Sequence, residues 1–114
     1  MILNTEIADQ ISAASTRIGK NTTTLERIAR VREELAEVEA EVAKGDLAKA
    51  EQEMGDLLLS VALLCQGFKF QTGPMRAYAT SAGKISGRLE HIEARMAEGA
   101  SRADAIKEAK ALYP

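Results

Sequence analysis

Apolar residues along most of the chain recur three or four positions apart, which is the spacing of one face of an α-helix. No segment alternates apolar and polar residues as a strand would. The repeat predicts two consecutive long helices; the first carries Leu25, Ile28, Val31, Leu35, Val38 and Val42, and the second carries Leu47, Ala50, Met54, Leu57, Val61, Leu64 and Phe68. From Leu57 onward the second helix is apolar nearly all round, so we expect this part to be central or to lie in a subunit interface.

Local signals place the ends of these helices. Thr23 and Glu26 have the spacing of a capping box, Gly45 is suited to end the first helix, and Asp46 can cap the second. After the break at 71–74, Pro74 suits the first turn of a third long helix, which runs to about Glu98 and ends at Gly99. Ser101 with Asp104 can cap a short last helix. A helix with a weaker repeat is predicted from about Asn4 to Ile18. We therefore predict an all-α chain of four to five helices with short connections.

Size and composition restrict the function. A chain of 114 residues, 46% of them apolar, has room for a single domain, residues 1–114. The net charge of −2 and the 4% of aromatic residues argue against a nucleic-acid binder, and a lone cysteine, Cys65, excludes disulfides within the chain and multi-cysteine zinc sites. The longest apolar tract, 57–65, is too short to span a membrane, and no N-terminal stretch combines a basic start with an apolar run as a secretory signal would, so we expect a cytoplasmic protein.

The small net charge hides two oppositely charged segments. Residues 33–56 contain nine acids against two bases, and residues 69–95 contain five bases against two acids. In the acidic segment each of several carboxylates stands one position before a core residue, and one position is about 100° of helix rotation, so these acids should flank the apolar face. The acids concerned are Glu34, Glu37 and Glu41 on the first long helix and Glu53 and Asp56 on the second.

Antiparallel packing of the two long helices would bring their carboxylates together. Clustered anions beside a core need a cation, and an all-oxygen ligand set suits Mg²⁺ or Mn²⁺ better than zinc. A di-iron centre would require Glu-x-x-His pairs, whereas the chain has one histidine, His91. Gly55, between two of these acids, is costly within a helix and often marks a close approach by a helix or a ligand. A merely solvated acidic surface is the alternative interpretation.

Four basic residues follow helical spacing on the third long helix: Lys84, Arg88, His91 and Arg95. Such a face suits the phosphates of a metal-bound polyphosphate. The alternative is an exposed face that pairs with nearby glutamates, and His91 and Arg95 are the weaker candidates for phosphate binding.

The segments Arg-Glu-Glu-Leu-Ala-Glu-Val (32–38) and Glu-Gln-Glu-Met-Gly-Asp-Leu-Leu-Leu (51–59) give a pattern E-x-x-E, spacer, E-x-x-D. With Gly-Lys-Ile-Ser-Gly-Arg-Leu at 83–89, the chain resembles the MazG family of all-α nucleoside triphosphate pyrophosphohydrolases over roughly residues 17–110. The resemblance implies a MazG-like bundle completed by oligomerisation into homodimers or homotetramers. Departures at Ala82, Ile85 and Ile106 fall on positions where the family often has Asn, an aromatic residue and Trp, and they put the nucleobase pocket and sugar contacts in doubt.

The resemblance also implies roles for individual residues. Glu34, Glu37, Glu53 and Asp56 would hold Mg²⁺, Lys84 and Arg88 would bind phosphates, and Arg30 stands where the family commonly has a lysine. The implied reaction is hydrolysis of a nucleoside triphosphate at the α–β bond to the monophosphate and pyrophosphate. Glu33, Glu34 and Glu37 are the implied catalytic residues, and either Glu33 or Glu37 would act as the general base. A phosphoribosyl-ATP pyrophosphohydrolase and a non-catalytic helical oligomer are the alternatives.

Overall fold

A computed structural model describes residues 6–114, which form five α-helices and no strand. The helices are α1 (Glu6–Arg17), α2 (Thr24–Lys44), α3 (Leu47–Gly67), α4 (Pro74–Ala97) and α5 (Arg102–Leu112). The all-α prediction is confirmed, and the predicted helix boundaries hold to within a few residues. The predicted start of the first helix at Asn4 lies outside the described residues. None of the described helices has the length and hydropathy needed to cross a membrane.

The predicted capping residues begin and end the helices as expected. The Thr23 hydroxyl accepts a hydrogen bond from the Glu26 amide at 3.1 Å, and the Glu26 carboxylate accepts one from the Thr23 amide at 3.3 Å, which completes the capping box. Gly45 ends α2 in the left-handed conformation at φ 78°, which glycine adopts without steric cost. Asp46 and Ser101 cap α3 and α5 by the same side-chain-to-amide bond.

The chain divides into two compact units between Phe70 and Gln71, where the predicted break between helices begins. In the first unit α2 packs along α3, and α1 packs on α3. The α2–α3 pair is antiparallel, because Glu41 pairs with Lys49 at one end while Arg27 reaches Gln66 at the other. In the second unit α4 packs on α5. A single domain over 1–114 stays a prediction.

The packed face of α2 differs from the apolar face that the sequence predicts. Val38 is buried, but Leu25 is 78% exposed and Leu35 is 47% exposed. Glu34 and Glu41 are buried instead, so these acids lie within the packed face and do not merely flank it. α2 therefore presents carboxylates to α3 and leaves part of its apolar surface in solvent.

Candidate metal and nucleotide site

Three glutamates converge where the middle of α2 meets α3. Each of Glu34, Glu37 and Glu53 offers a carboxylate oxygen that lies within 4.8 Å of those of the other two. Asp56 is not one of these three residues, but its charge acts on both Glu34 and Glu53. We call Glu34, Glu37, Glu53 and Asp56 together the carboxylate cluster. The structure thus brings three of the four predicted metal ligands together, and the fourth, Asp56, is near enough for its charge to act on two of them.

Two members of the carboxylate cluster lack the partners that buried carboxylates need. Glu34 is 2% exposed, and Oε2 of Glu34 and Oε2 of Glu53 are buried without a hydrogen-bond partner among the described residues. Arg30 contacts Glu34 Oε1 at 2.7 Å, and it also approaches Glu33 at 3.7 Å. One guanidinium does not neutralise four carboxylates, and unpaired buried polar atoms are rare in folded proteins.

The electrostatics of the carboxylate cluster favour the binding of a positive charge. Burial is the main cause that raises the pKa of Glu34, and the neighbouring Glu37 carboxyl raises it further, while Arg30 partly offsets both effects. Contact with Glu37 is the main cause that raises the pKa of Glu53, followed by burial. Both acids would release this repulsion by taking up a proton or a cation. The orphaned oxygen atoms and the all-carboxylate composition fit a hard divalent ion.

Gly55 lies in α3 between two members of the carboxylate cluster. A Cβ atom at this position would meet no atom within 4 Å. A close approach by another described helix therefore does not explain this glycine, although the sequence allowed that explanation. The space beside Gly55 stays open for a group from outside the described chain.

The basic residues of α4 have two different environments in the second unit. His91 Nε2 lies 3.0 Å from Glu108 Oε2, and Arg95 Nε donates to the same oxygen at 2.9 Å. Arg95 thus forms an ion pair with Glu108 and His91 a hydrogen bond to it, which is the pairing with glutamates that the sequence left open. Arg88 donates from Nε to the Tyr113 carbonyl at 2.8 Å, and Lys84 is half-buried, without an ion pair in the part of the chain that is described.

A polar cleft of about 560 Å³ lies in the first unit next to the carboxylate cluster. Arg30 and Glu33 line this cleft, and Arg30 is also the residue that contacts Glu34. Sequence reasoning missed the cleft and its half-buried arginine, Arg27. A signal was present in the sequence: positions 27, 31, 34, 38 and 41 share one helix face, and three of them are charged. Charged residues among the valines of one face indicate that this face also buries polar groups.

Comparison with protein families agrees with this geometry. The model of the MazG nucleotide pyrophosphohydrolase domain matches residues 22–92, which is more than half of the chain. The chain belongs to the MazG family. All four members of the carboxylate cluster, together with Lys84 and Arg88, fall within the matched MazG segment, whereas α1 precedes it. Membership indicates a nucleotide pyrophosphohydrolase. Searches of curated proteins and of solved structures found no match.

Proposed function

We propose that this protein hydrolyses a nucleoside triphosphate, NTP or dNTP, between its α and β phosphates in an Mg²⁺-dependent reaction. The products are the nucleoside monophosphate and pyrophosphate. The observation that carries the proposal is the carboxylate cluster, in which two buried oxygen atoms lack any partner among the described residues. Membership of the MazG family supplies the class of substrate.

The carboxylate cluster supplies the proposed metal ligands: Glu34, Glu37, Glu53 and Asp56. Bound Mg²⁺, for which Mn²⁺ is a possible substitute, would neutralise phosphate oxygens and lower the pKa of a water molecule. A carboxylate of the chain then accepts the proton of the attacking water as the bond between the α phosphorus and the bridging oxygen breaks. Glu37, inside the carboxylate cluster, and Glu33, at the edge of the cleft and 65% exposed, are the two candidates for this base.

Three basic residues are the proposed phosphate ligands. Lys84 has no ion pair among the described residues, and Arg88 uses one N–H on a backbone carbonyl, so the remaining donors of both side chains can serve an anion. Arg30 holds Glu34 and lines the cleft, where its second amino group would reach a phosphate. This assignment of Lys84, Arg88 and Arg30 follows the family resemblance.

We further propose that the protein is a cytoplasmic homodimer or homotetramer. Large apolar side chains of α2 and α3 are exposed, which a single soluble chain would normally cover. The residues are Leu25, Leu35, Val42, Leu47, Met54, Leu58 and Leu59. Sedimentation analysis of the purified protein tests the assembly directly.

A product assay tests the reaction. The protein is incubated with the four common NTPs and four dNTPs with Mg²⁺, and pyrophosphate and orthophosphate are measured separately. Pyrophosphate release that Asp56→Asn abolishes supports the proposal. Glu51→Gln, an exposed acid on the same helix, is the matched control and should retain activity. Orthophosphate as the only product would contradict cleavage at the α–β bond. Pyrophosphate release from phosphoribosyl-ATP in the same assay would instead support the alternative, a phosphoribosyl-ATP pyrophosphohydrolase.

A further inference from the structure

The polar cleft next to the carboxylate cluster is built from all three helices of the first unit. Its volume of about 560 Å³ falls within the range of pockets that hold small molecules, about 300–1,000 Å³. Arg30 borders both the cleft and the carboxylate cluster, and it lies one turn of α2, about 5.4 Å, from Glu34. A nucleotide with its phosphates at the cluster would therefore have its sugar and base within reach of the cleft.

The lining of the cleft is suited to hydrogen bonding and contains no aromatic side chain. The hydroxyls of Thr16 and Ser60 donate to backbone carbonyls at 3.0 and 2.7 Å, so they are already engaged. The side chains of Ser15, Lys20 and Asn21 make no hydrogen bond or ion pair within the described part of the chain, and their polar groups are available to a ligand, whereas the Ser15 carbonyl accepts from the Lys20 amide at 2.9 Å. A base in this cleft would be recognised through its edge and its sugar hydroxyls, because there is no ring on which it could stack.

Arg27 holds the walls of the cleft together. Its guanidinium donates to Ser12 of α1 at 3.1 Å, to Thr22 at 3.1 Å and to Gln66 of α3 at 2.8 Å, and it also bonds the Leu63 carbonyl. These acceptors are neutral and occupy the donors of Arg27, and Arg30 is paired with glutamates. Lys20 is then the one cation of the lining whose side chain makes no hydrogen bond or ion pair among the described residues, and a single free cation is too few for a triphosphate. Away from Arg30, which borders the carboxylate cluster, the polar groups of the lining suit a nucleoside.

We propose that this cleft binds the nucleoside part of the substrate, that Ser15, Lys20 and Asn21 select it by hydrogen bonding, and that Arg27 is a positioning residue. The proposal rests on the proposed nucleotide hydrolysis and assigns its substrate preference to α1 and residues 20–21. These residues lie outside the segment that the MazG model matches. A site that hydrogen-bonds a group of its ligand discriminates strongly against related ligands that lack this group.

Binding of non-hydrolysable nucleotides tests the selecting residues without the need for turnover. The dissociation constants of α,β-methylene analogues of the eight common nucleotides are measured calorimetrically with Mg²⁺, beside inorganic tripolyphosphate. Asn21→Ala and Ser15→Ala should each weaken the preferred analogue about 3- to 10-fold and change the order of preference, while tripolyphosphate binding stays the same. Gln10→Ala, an exposed amide on α1 outside the cleft, is the matched control.

Gly67→Ala tests Arg27 without replacing any residue that lines the cleft. A Cβ at residue 67 would lie 2.6 Å from Nη1 of Arg27, so the guanidinium would have to move. This variant should lose selectivity among the analogues and keep its affinity for tripolyphosphate, a pattern that general loss of stability does not produce.

The outcomes separate the two proposals. If the order of preference in Asn21→Ala and Ser15→Ala equals that of the unaltered protein, or if no analogue binds more tightly than tripolyphosphate, the cleft proposal is wrong even when pyrophosphate is released. If the analogues bind selectively through the cleft but no nucleotide is hydrolysed, the proposed reaction fails and the cleft assignment holds.

Discussion

The two units of this chain shift the pKa of partly or fully buried glutamates in opposite directions. In the second unit Glu108 receives Arg95 and His91, which lower its pKa. In the first unit Glu34 and Glu53 face other carboxylates, which together with burial raise their pKa values. The ionised form of Glu108 is thus favoured by folding, and the ionised forms of Glu34 and Glu53 are opposed by it. Glu108 is thus complete as a structural ion pair, whereas Glu34 and Glu53 are relieved only by a proton or by a cation from outside the described chain.

The largest expected effect is on nucleotide hydrolysis, which should depend on the carboxylate cluster and not on the pairing of Glu108 with Arg95 and His91. Glu53→Gln should lower kcat/KM for the preferred triphosphate by roughly 100-fold or more, the loss that follows removal of a group stabilising developing charge. Glu108→Gln should change it only a few-fold, because that side chain is occupied by Arg95 and His91. Pyrophosphate release measures both. Equal losses in the two variants would contradict the distinction between a site and a structural ion pair.

Metal binding should stabilise the protein through the carboxylate cluster alone. Mg²⁺ at about 100 times its dissociation constant would raise the free energy of unfolding by about 2.7 kcal/mol, which corresponds to roughly 10 °C or more in Tm. Glu34→Gln should abolish most of this shift, and Glu108→Gln should retain it. Thermal unfolding in EDTA and in Mg²⁺ provides the measurement. An unchanged Tm in the unaltered protein is the result expected of a non-catalytic helical oligomer.

The pH dependence of the metal-free protein should have opposite signs for the two arrangements. A raised pKa in the folded state means that stability falls as pH rises above the ordinary value of 4.5, so Glu34→Gln should increase Tm at pH 7 and do so less at pH 4. A lowered pKa means that the contribution of Glu108 is present above 4.5 and is lost as pH falls through its folded value. Glu108→Gln should therefore decrease Tm at pH 7 and have a smaller effect below pH 4. Thermal unfolding in EDTA across pH 3.5–7.5 measures both differences.

Local signals explain why the sequence predicts the helices so well. A capping box such as that of Thr23 and Glu26 depends on four neighbouring residues, and each is visible in the sequence. The convergence of the proposed metal ligands was also predictable, because the spacing of the acids and a short connection after Gly45 favour antiparallel packing. Which of the residues would be buried was less predictable, as Leu35 and Glu34 show.

Long-range contacts explain what the sequence does not predict. The partners of Arg27 are separated from it by up to 39 residues, and nothing in the local pattern indicates them. The choice between phosphate binding and ion pairing for His91 and Arg95 was decided by Glu108, which lies on a different helix. The cleft depends on the packing of α1, whose periodicity is weak, and therefore has no motif of its own.

The smallest expected effect concerns Gly55, which separates two members of the carboxylate cluster. Because a Cβ would meet nothing within 4 Å, Gly55→Ala should stabilise α3 by roughly 0.5–1 kcal/mol through helix propensity. Gly83→Ala, in equally open space on α4, gives the matched comparison. If both variants gain in Tm but only Gly55→Ala loses pyrophosphate release, the space beside the carboxylate cluster is occupied during turnover. If both keep full activity, substrate contact is ruled out as the reason for this glycine, as packing against another described helix already is.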